Sequence, residues 1–319
     1  MTNSWRDASG WCLGTMYFGT TVGERHAFAL LDRYVEAGGR LIDTANNYAF
    51  WADGGTGDES ETVLGKWLRS RGHRDEISLA TKVGARPRPG GHSLDDAVGL
   101  SAAAVRDQVE ASLRRLGVDQ LDLLYAHIDD TQTPLEQTLA AFDDLVGDGL
   151  VRAVACSNLT LPRLREAHDI SERDGLARYE ATQLRATYLS TEPDADIAPQ
   201  VLLDDDLARY AAAQDMAVFG YSPLLGGAYV RADRPVPPEY QHGATGAQLG
   251  AVQASAARLG ATANQIVLAW LSEQGVVPVL GVSSLAQLDE ALAAREVKLD
   301  EHSRRDLTRA RRLGGPAAG

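Results

Sequence analysis

Short apolar segments alternate with amphipathic segments from one end of the chain to the other, and few folds are compatible with that pattern. Eight of the apolar segments are bounded by Gly, Asp or Pro and are apolar on both faces, as parallel strands are when helices cover both sides of their sheet. The predicted strands are Cys12–Phe18, Arg40–Thr44, Ile77–Lys82, Leu121–His127, Leu150–Cys156, Ala181–Leu184, Ala217–Tyr221 and Val276–Leu280.

The segments between these strands carry apolar residues at helical spacing. In Glu24–Ala37 the apolar residues form one stripe, and Gly38 and Gly39 follow as a stop signal. Similar patterns predict helices over Ser101–Leu116, Leu135–Val146, Leu161–Glu172, Leu203–Gln214, Gln248–Leu259, Asn264–Glu273 and Leu285–Ala293. Eight strands alternating with helices predict an α/β fold of the (β/α)8 barrel type.

A doubly wound parallel sheet is the alternative fold. The chain has no Gly-x-Gly-x-x-Gly turn of the kind that normally follows the first strand of such a sheet, and it has no Walker A motif. Its 319 residues would fill two domains of about 150 residues, but α/β barrels commonly exceed ~200 residues as one unit. Since composition does not shift along the chain, we predict a single barrel domain over residues 1–319, with a disordered tail at 314–319.

Composition excludes several classes of function. The 31 basic and 44 acidic residues give a formal net charge of −13, which argues against nucleic acid or an anionic membrane as a partner. No apolar run approaches the ~20 residues that span a bilayer, and the first residues lack the pattern of a signal peptide. The two cysteines, Cys12 and Cys156, are too few for a disulfide framework or a cysteine zinc site. We expect a cytoplasmic protein without a metal centre.

Three segments are too long for simple connections in a barrel. Ala49–Ser60 is rich in Gly and Asp, Ala85–Leu100 contains two prolines and a Gly pair, and Leu224–Gly246 contains three prolines and a Gly pair. Each follows a predicted strand, so each is expected at the carboxyl-terminal face of the barrel, where barrel enzymes build their active sites.

Four ionisable residues stand at or just after the ends of neighbouring predicted strands: Asp43, Tyr48, Lys82 and His127. Each has an ordinary structural alternative, as a turn cap for Asp43, a wall aromatic for Tyr48 and a core histidine for His127. Lys82 is more informative, because an apolar strand seldom ends in an ammonium group without a partner. Together the four predict an acid–base site at one rim of the barrel.

Several motifs follow one another in order along the predicted βα units, from about Leu13 to Glu290. They read Leu13-Gly-Thr-Met, Leu41-Ile-Asp-Thr-Ala-Asn-Asn-Tyr48, Ser60-Glu-Thr-Val-Leu-Gly65, Ala80-Thr-Lys82, Leu121-Asp-Leu-Leu-Tyr-Ala-His127, Val154-Ala-Cys-Ser-Asn158, Gln183 and Gly220-Tyr-Ser-Pro-Leu224. Each is weak alone, but the ordered series resembles the aldo-keto reductase family. The resemblance implies a (β/α)8 barrel, a nicotinamide cofactor and reversible carbonyl reduction.

The resemblance implies that Asp43, Tyr48, Lys82 and His127 are a catalytic tetrad. Hydride delivery to a carbonyl carbon leaves an alkoxide that needs a proton, and Tyr48 supplies it in this interpretation. The Lys82 ammonium is expected to lower the pKa of the Tyr48 phenol, while Asp43 holds Lys82 charged and in place. His127 is expected to hydrogen-bond the carbonyl oxygen and orient the substrate.

The resemblance also implies a set of cofactor contacts. Ser157, Asn158 and Gln183 resemble a trio that binds the nicotinamide carboxamide, and Tyr221 resembles an aromatic residue that stacks on the nicotinamide. Ser157 and Asn158 have the alternative role of capping the following helix, and Gln183 that of a hydrogen-bonding residue at the sheet end. The other expected contacts, toward the pyrophosphate, nicotinamide or adenosine, are Gly14, Thr15, Met16, Ser222, Leu224, Gly281, Ser283 and Glu290.

The choice between NADP and NAD stays open because of one departure from the family pattern. Many relatives place a basic residue after the last strand to bind the 2′-phosphate of NADP, whereas this chain reads Leu280-Gly-Val-Ser-Ser-Leu285. In addition, Ala291 stands where the family commonly has an amide side chain. NADP(H) is the family default and NAD(H) is a serious alternative, unless Arg231 or Arg234 supplies the missing charge.

Phe50 and Trp51 follow Tyr48 closely enough to wall a substrate pocket. The expected substrate is a small-molecule aldehyde, ketone or sugar, or the corresponding alcohol in the oxidative direction. A different class of function also fits the motifs, namely a regulatory subunit that binds the cofactor and senses redox state, as potassium-channel β subunits do. Neither the physiological substrate nor the oligomeric state follows from the sequence.

Overall fold

Eight parallel strands close into a barrel in their chain order, and the last strand pairs with the first. The computed structural model describes residues 5–7, 11–192 and 195–314. The strands are β1 Cys12–Gly14, β2 Leu41–Asp43, β3 Ser78–Val83, β4 Leu123–Ala126, β5 Val154–Ser157, β6 Ala181–Arg185, β7 Ala217–Tyr221 and β8 Val276–Gly281. The predicted (β/α)8 barrel is confirmed.

Several strands are shorter than the apolar segments that predicted them. β1 ends at Gly14, because the next residues form a turn in which the Phe18 N–H donates to the Thr15 carbonyl at 2.9 Å. Before β4 and β5, Leu121 and Val151 form only an isolated bridge. Leu121, Val151 and Phe18 are nevertheless buried, so the apolar pattern continues beyond the strand ends.

Ten α-helices lie in the described part of the chain. They are α1 Glu24–Glu36, α2 Glu59–Arg71, α3 Ala102–Leu116, α4 Leu135–Gly147, α5 Leu161–Asp174, α6 Asp205–Ala213, α7 Thr245–Leu259, α8 Ala263–Glu273, α9 Leu285–Ala293 and α10 Glu301–Arg312. Two of them, α2 and α10, were not predicted. α2 follows the Gly-rich loop directly, and α10 is so rich in charge that its main buried apolar residues are Leu307 and Ala310.

The core has two layers, separated by the barrel wall. One lies between the strands and the surrounding helices, and the other fills the barrel interior with residues such as Leu41, Tyr125 and Phe219. At the amino-terminal end Trp5 packs against Phe219, with ring centroids 6.4 Å apart, while Arg6 pairs with Glu180, which directly precedes β6. This end of the barrel is closed, and functional side chains gather at the other end.

The three long segments singled out in the sequence follow β2, β3 and β7, so they lie at the carboxyl-terminal face of the barrel as predicted. Of the predicted disordered tail, 314–319, only Gly314 lies within the described residues, and its N–H donates to the Arg311 carbonyl at 3.1 Å. Across the described ranges, no helix is long and apolar enough to cross a membrane.

Candidate active site

The four predicted acid–base residues come together at the carboxyl ends of β2, β3 and β4. Asp43 is the last residue of β2, Lys82 lies near the end of β3, and His127 directly follows β4. Tyr48 lies in the loop after β2. Lys82 Nζ forms an ion pair with Asp43 and donates to the Tyr48 hydroxyl oxygen at 2.6 Å and to the Thr44 carbonyl at 2.9 Å.

The ion pair is buried, and the phenol of Tyr48 belongs to the same network. Asp43 and Lys82 are fully buried, so little water screens the interaction between them. The Tyr48 hydroxyl donates to Asp43 Oδ2 at 3.1 Å, and the ring centroids of Tyr48 and His127 are 5.9 Å apart in an edge-to-face arrangement. The geometry places a proton donor, a cation and an imidazole around one point.

The electrostatics of Tyr48 differ from the sequence-based expectation. Burial raises the pKa of the Tyr48 phenol well above its usual value, and the Asp43 carboxylate raises it further. The hydrogen bond from Lys82 acts in the opposite sense, because a donor to the phenol oxygen favours the phenolate. Tyr48 therefore retains its proton at neutral pH.

Lys82 and His127 also have shifted pKa values. Burial lowers the pKa of the Lys82 ammonium, while the Asp43 carboxylate opposes that shift. Burial and the nearby Lys82 charge lower the pKa of His127 well below its usual value, so the imidazole is neutral. Its buried Nδ1 atom has no hydrogen-bond partner among residues 11–192 and 195–314.

Ser157 and Asn158 lie at the end of β5, and their side chains bond to neighbouring strands. Ser157 Oγ donates to the Gln183 carbonyl at 2.8 Å, and Asn158 Nδ2 donates to the His127 carbonyl at 3.1 Å. Asn158 Oδ1 accepts from the Tyr221 hydroxyl at 2.8 Å. The alternative role as a helix cap is wrong for both residues, because the residue before α5 is Thr160.

Gln183 reaches the acid–base group itself. Its Nε2 donates to Asp43 Oδ1 at 3.0 Å, and both side chains are buried. The alternative role of a hydrogen-bonding residue at the sheet end is incomplete, because the side chain bonds to a carboxylate inside the barrel. The sequence gives no sign of this contact, since 140 residues separate the two positions.

The expected nucleotide contacts after β1 and β7 flank this centre. Thr15 is buried, and its Oγ1 donates to the Asp43 carbonyl at 3.0 Å, while a Cβ on Gly14 would approach the Val279 side chain to 3.0 Å. Met16 is partly exposed and follows directly. After β7, Ser222 has a positive φ of 54°, which turns the chain sharply toward Leu224.

The resemblance places the adenosine of the nucleotide at the segment after β8. This segment forms hydrogen bonds with two side chains that the sequence analysis did not identify. The Ser283 N–H donates to Gln287 Oε1 at 2.8 Å, and the Ser283 carbonyl lies 3.0 Å from His26 Nε2. Gly281 ends β8 and is exposed, and Glu290 accepts from Thr262 Oγ1 at 2.6 Å. These contacts contain no Arg or Lys.

Within the described residues, neither Arg231 nor Arg234, which could replace the missing basic residue, contacts the segment after β8. Arg231 pairs with Asp233 in its own loop at 2.5 Å, and Arg234 is exposed. The loop after β7 therefore provides no cation held against Ser283 in this structure.

Phe50 and Trp51 lie in the loop after β2, beyond Tyr48. Phe50 is partly buried and Trp51 is 53% exposed, with their ring centroids 5.1 Å apart in an edge-to-face pair. The sequence analysis missed Arg86, which donates to the Asn46 carbonyl at 2.5 Å and to Asp58 at 2.6 Å. One cation therefore fastens both ends of the loop that carries Tyr48 and the aromatic pair.

Comparison with known proteins agrees with this architecture. A sequence model of the aldo/keto reductase family matches residues 11–312. Norsolorinic acid reductase stcV of Emericella nidulans is 32% identical over 309 residues, which cover 91% of this chain and 75% of the relative. The oxidoreductase YrpG of Bacillus subtilis is 29% identical over 311 residues, which cover 93% of this chain and 90% of the relative.

Solved structures show the same fold. An aldo-keto reductase from Klebsiella pneumoniae, solved in complex with NADPH, matches with a TM-score of 0.74 at 24% identity, over 97% of this chain and 93% of that one. The family match covers the barrel from before β1 to the end of α10. The chain therefore belongs to the aldo/keto reductase family and is an NAD(P)-dependent oxidoreductase that acts on carbonyl and alcohol groups.

Proposed function

We propose that the chain reduces a small-molecule aldehyde, ketone or sugar with Tyr48 as general acid, and that the same residue is the general base for alcohol oxidation. The observation that carries the proposal is the position of Lys82 Nζ, which pairs with Asp43 and also donates to the Tyr48 hydroxyl at 2.6 Å. Tyr48 holds the proton to be transferred, and Lys82 stabilises the phenolate that remains.

The residues at the ends of β5, β6 and β7 fit a nicotinamide. A carboxylate only accepts hydrogen bonds, so Gln183 must turn Nε2 toward Asp43, which leaves its carbonyl oxygen to accept from a carboxamide NH2. Tyr221 offers an aromatic face nearby, and its hydroxyl is fixed by Asn158. When bound, the nicotinamide supplies or takes up the hydride.

The chain's own residues provide the proton and the orientation. Tyr48 gives its phenolic proton to the carbonyl oxygen as negative charge develops there. Neutral His127 is close to Tyr48 and is able to donate a hydrogen bond to the same oxygen. Asp43 keeps Lys82 charged in an interior that would otherwise favour the neutral amine.

Steady-state turnover of aldehydes, ketones, sugars and secondary alcohols with both nucleotides tests the proposed function. Norsolorinic acid belongs in this panel, because a relative is named a norsolorinic acid reductase. Aromatic ketones belong in it because the loop after β2 carries an aromatic pair. Nucleotide binding without turnover of any compound would contradict the proposal and favour a regulatory subunit.

We expect the preference for NADP over NAD to be weaker than about tenfold, equivalent to about 1.4 kcal/mol, or to be reversed. The Ser283 donors are already bonded to Gln287, and no arginine or lysine contacts Ser283 within the described residues. Quenching of protein fluorescence by each nucleotide measures the two Kd values.

A matched variant sharpens this test of cofactor preference. Ser283→Arg supplies a charged donor for a 2′-phosphate, so the Kd for NADP should fall while the Kd for NAD changes little. Wild-type binding of NADP a hundredfold tighter than NAD would contradict the prediction and indicate another cationic contact.

Trp51→Ala is expected to raise the substrate KM and to leave the nucleotide Kd nearly unchanged. The Trp51 side chain is 53% exposed, so a bound substrate can cover its open face, a contact worth on the order of 1–2 kcal/mol. Trp51→Phe keeps an aromatic face and should lose less. A KM that stays at the wild-type value for every active substrate would place Trp51 outside the pocket.

A further inference from the structure

Within the described part of the chain, Gln183 and Tyr48 are the two uncharged side chains that donate hydrogen bonds to the Asp43 carboxylate. Asp43 Oδ2 accepts hydrogen bonds from Lys82 Nζ and from the Tyr48 hydroxyl, whereas Asp43 Oδ1 accepts one from Gln183 Nε2 at 3.0 Å. The two carboxylate oxygens thus face different elements, with the proton-transfer pair on one side and β6 on the other.

Gln183 is held firmly in this position. Its backbone carbonyl accepts from Ser157 Oγ at 2.8 Å, and its side-chain amide donates to Asp43. Gln183 is 2% exposed and Asp43 is fully buried, so water cannot replace the amide at Oδ1 without an opening of the barrel. Hydrogen bonds to buried charged groups are stronger than those between neutral groups.

We propose that Gln183 is a positioning residue for proton transfer, which acts through Asp43 and sets how strongly that carboxylate holds Lys82 and the Tyr48 proton. With the amide in place, part of the carboxylate charge is compensated at Oδ1. Without it, Oδ2 attracts the ammonium and the phenolic proton more strongly, so the phenolate forms less readily. The inference rests on the proposed function, because it concerns Tyr48 in that reaction.

Other titratable groups face the same centre from the surrounding elements. They are Cys12 on β1, Glu61 on α2, Tyr125 on β4 and His127 after β4. Burial raises the pKa of Cys12 and of Tyr125 and lowers that of His127, so these three are neutral near pH 7. Glu61 is bonded to Arg115 at 2.7 Å.

The test is the pH dependence of kcat for alcohol oxidation at saturating nucleotide. Gln183→Met keeps the length of the side chain and removes the donor, so the alkaline limb should move to higher pH by about half a unit or more. Gln183→Leu also removes the donor and adds no charge, so the limb should move in the same direction. If Gln183→Met fails to fold, Gln183→Leu carries the test alone.

Two further variants test whether the shift of the alkaline limb depends on Asp43. In an Asp43→Asn background, Gln183→Met should leave the limb where Asp43→Asn alone puts it. Thr182→Val is the matched control, because Thr182 precedes Gln183 on β6 and alternation along the strand directs it to the opposite face. This control should show the wild-type profile.

The outcomes separate the inference from the proposed function. A wild-type limb in both Gln183 variants, with only the nucleotide Kd raised, would overturn the inference and leave Gln183 as a carboxamide contact. A further shift by Gln183→Met in the Asp43→Asn background would also overturn it. A wild-type protein that turns over no carbonyl or alcohol with either nucleotide would instead refute the proposed function, and the inference with it.

Discussion

Tyr48→Phe is expected to lower kcat for carbonyl reduction by about 10²–10⁴-fold, the usual contribution of general acid catalysis, and to leave the nucleotide Kd close to the wild-type value. The substitution removes one oxygen atom and keeps the ring against His127. It deletes the hydroxyl that donates to Asp43 and accepts from Lys82, and with it the proton to be transferred. Single-turnover rates with bound nucleotide measure the chemical step directly.

Tyr210→Phe is the matched control for this experiment. Tyr210 lies on α6 and bonds His168 at 2.9 Å, so its variant also loses a hydroxyl with a hydrogen bond, but far from the barrel interior. Its kcat should equal that of the wild type. If Tyr48→Phe kept more than half of the wild-type kcat with chemistry rate-limiting, Tyr48 would not be the proton donor.

The fold and the central group of residues were accessible from the sequence for one physical reason. Strands buried on both faces read as short apolar runs, and the carboxyl ends of parallel strands meet at one rim. Asp43, Lys82 and His127 each stand at such an end, so their convergence follows from the strand count. The strand limits were less predictable, because buried turn residues such as Phe18 extend the apolar pattern.

Side-chain contacts between residues far apart in the sequence were not accessible in this way. Arg86 with Asp58, His26 with Ser283 and Gln183 with Asp43 have no periodicity and no characteristic spacing. They depend on side-chain directions that only the closed barrel fixes. The pKa of Tyr48 is a related case, because the sequence indicated the Lys82 charge but not the burial and carboxylate that outweigh it.

Helix α10 was missed because its apolar face is narrow. It packs against α7, and its Arg311 donates to the Thr187 carbonyl at 3.2 Å and lies 4.9 Å from the Trp270 ring centroid. A helix whose inward face includes an arginine gives a weak apolar stripe. The many charged residues on its outer face also make the segment look like an exposed loop in the sequence.

Lys82→Met is expected to abolish most of the turnover and also to destabilise the fold. The variant leaves Asp43 buried without its cation, which typically costs about 3–5 kcal/mol of unfolding free energy. It also removes the donor to the Tyr48 oxygen. The pKa of Tyr48, already raised by burial and Asp43, should rise further, so a smaller fraction of phenolate is present at any given pH.

The alkaline limb of alcohol oxidation should therefore move to higher pH in Lys82→Met, since phenolate is the base in that direction. Asp43→Asn/Lys82→Met separates this catalytic effect from the destabilisation, because the double variant no longer buries an unpaired charge. Its unfolding free energy should recover in part, as measured by urea denaturation, while kcat stays low. Recovery of kcat together with stability would mean that Lys82 serves only as a counter-ion, whereas low kcat in a restored fold requires the ammonium beside Tyr48 for the chemistry itself.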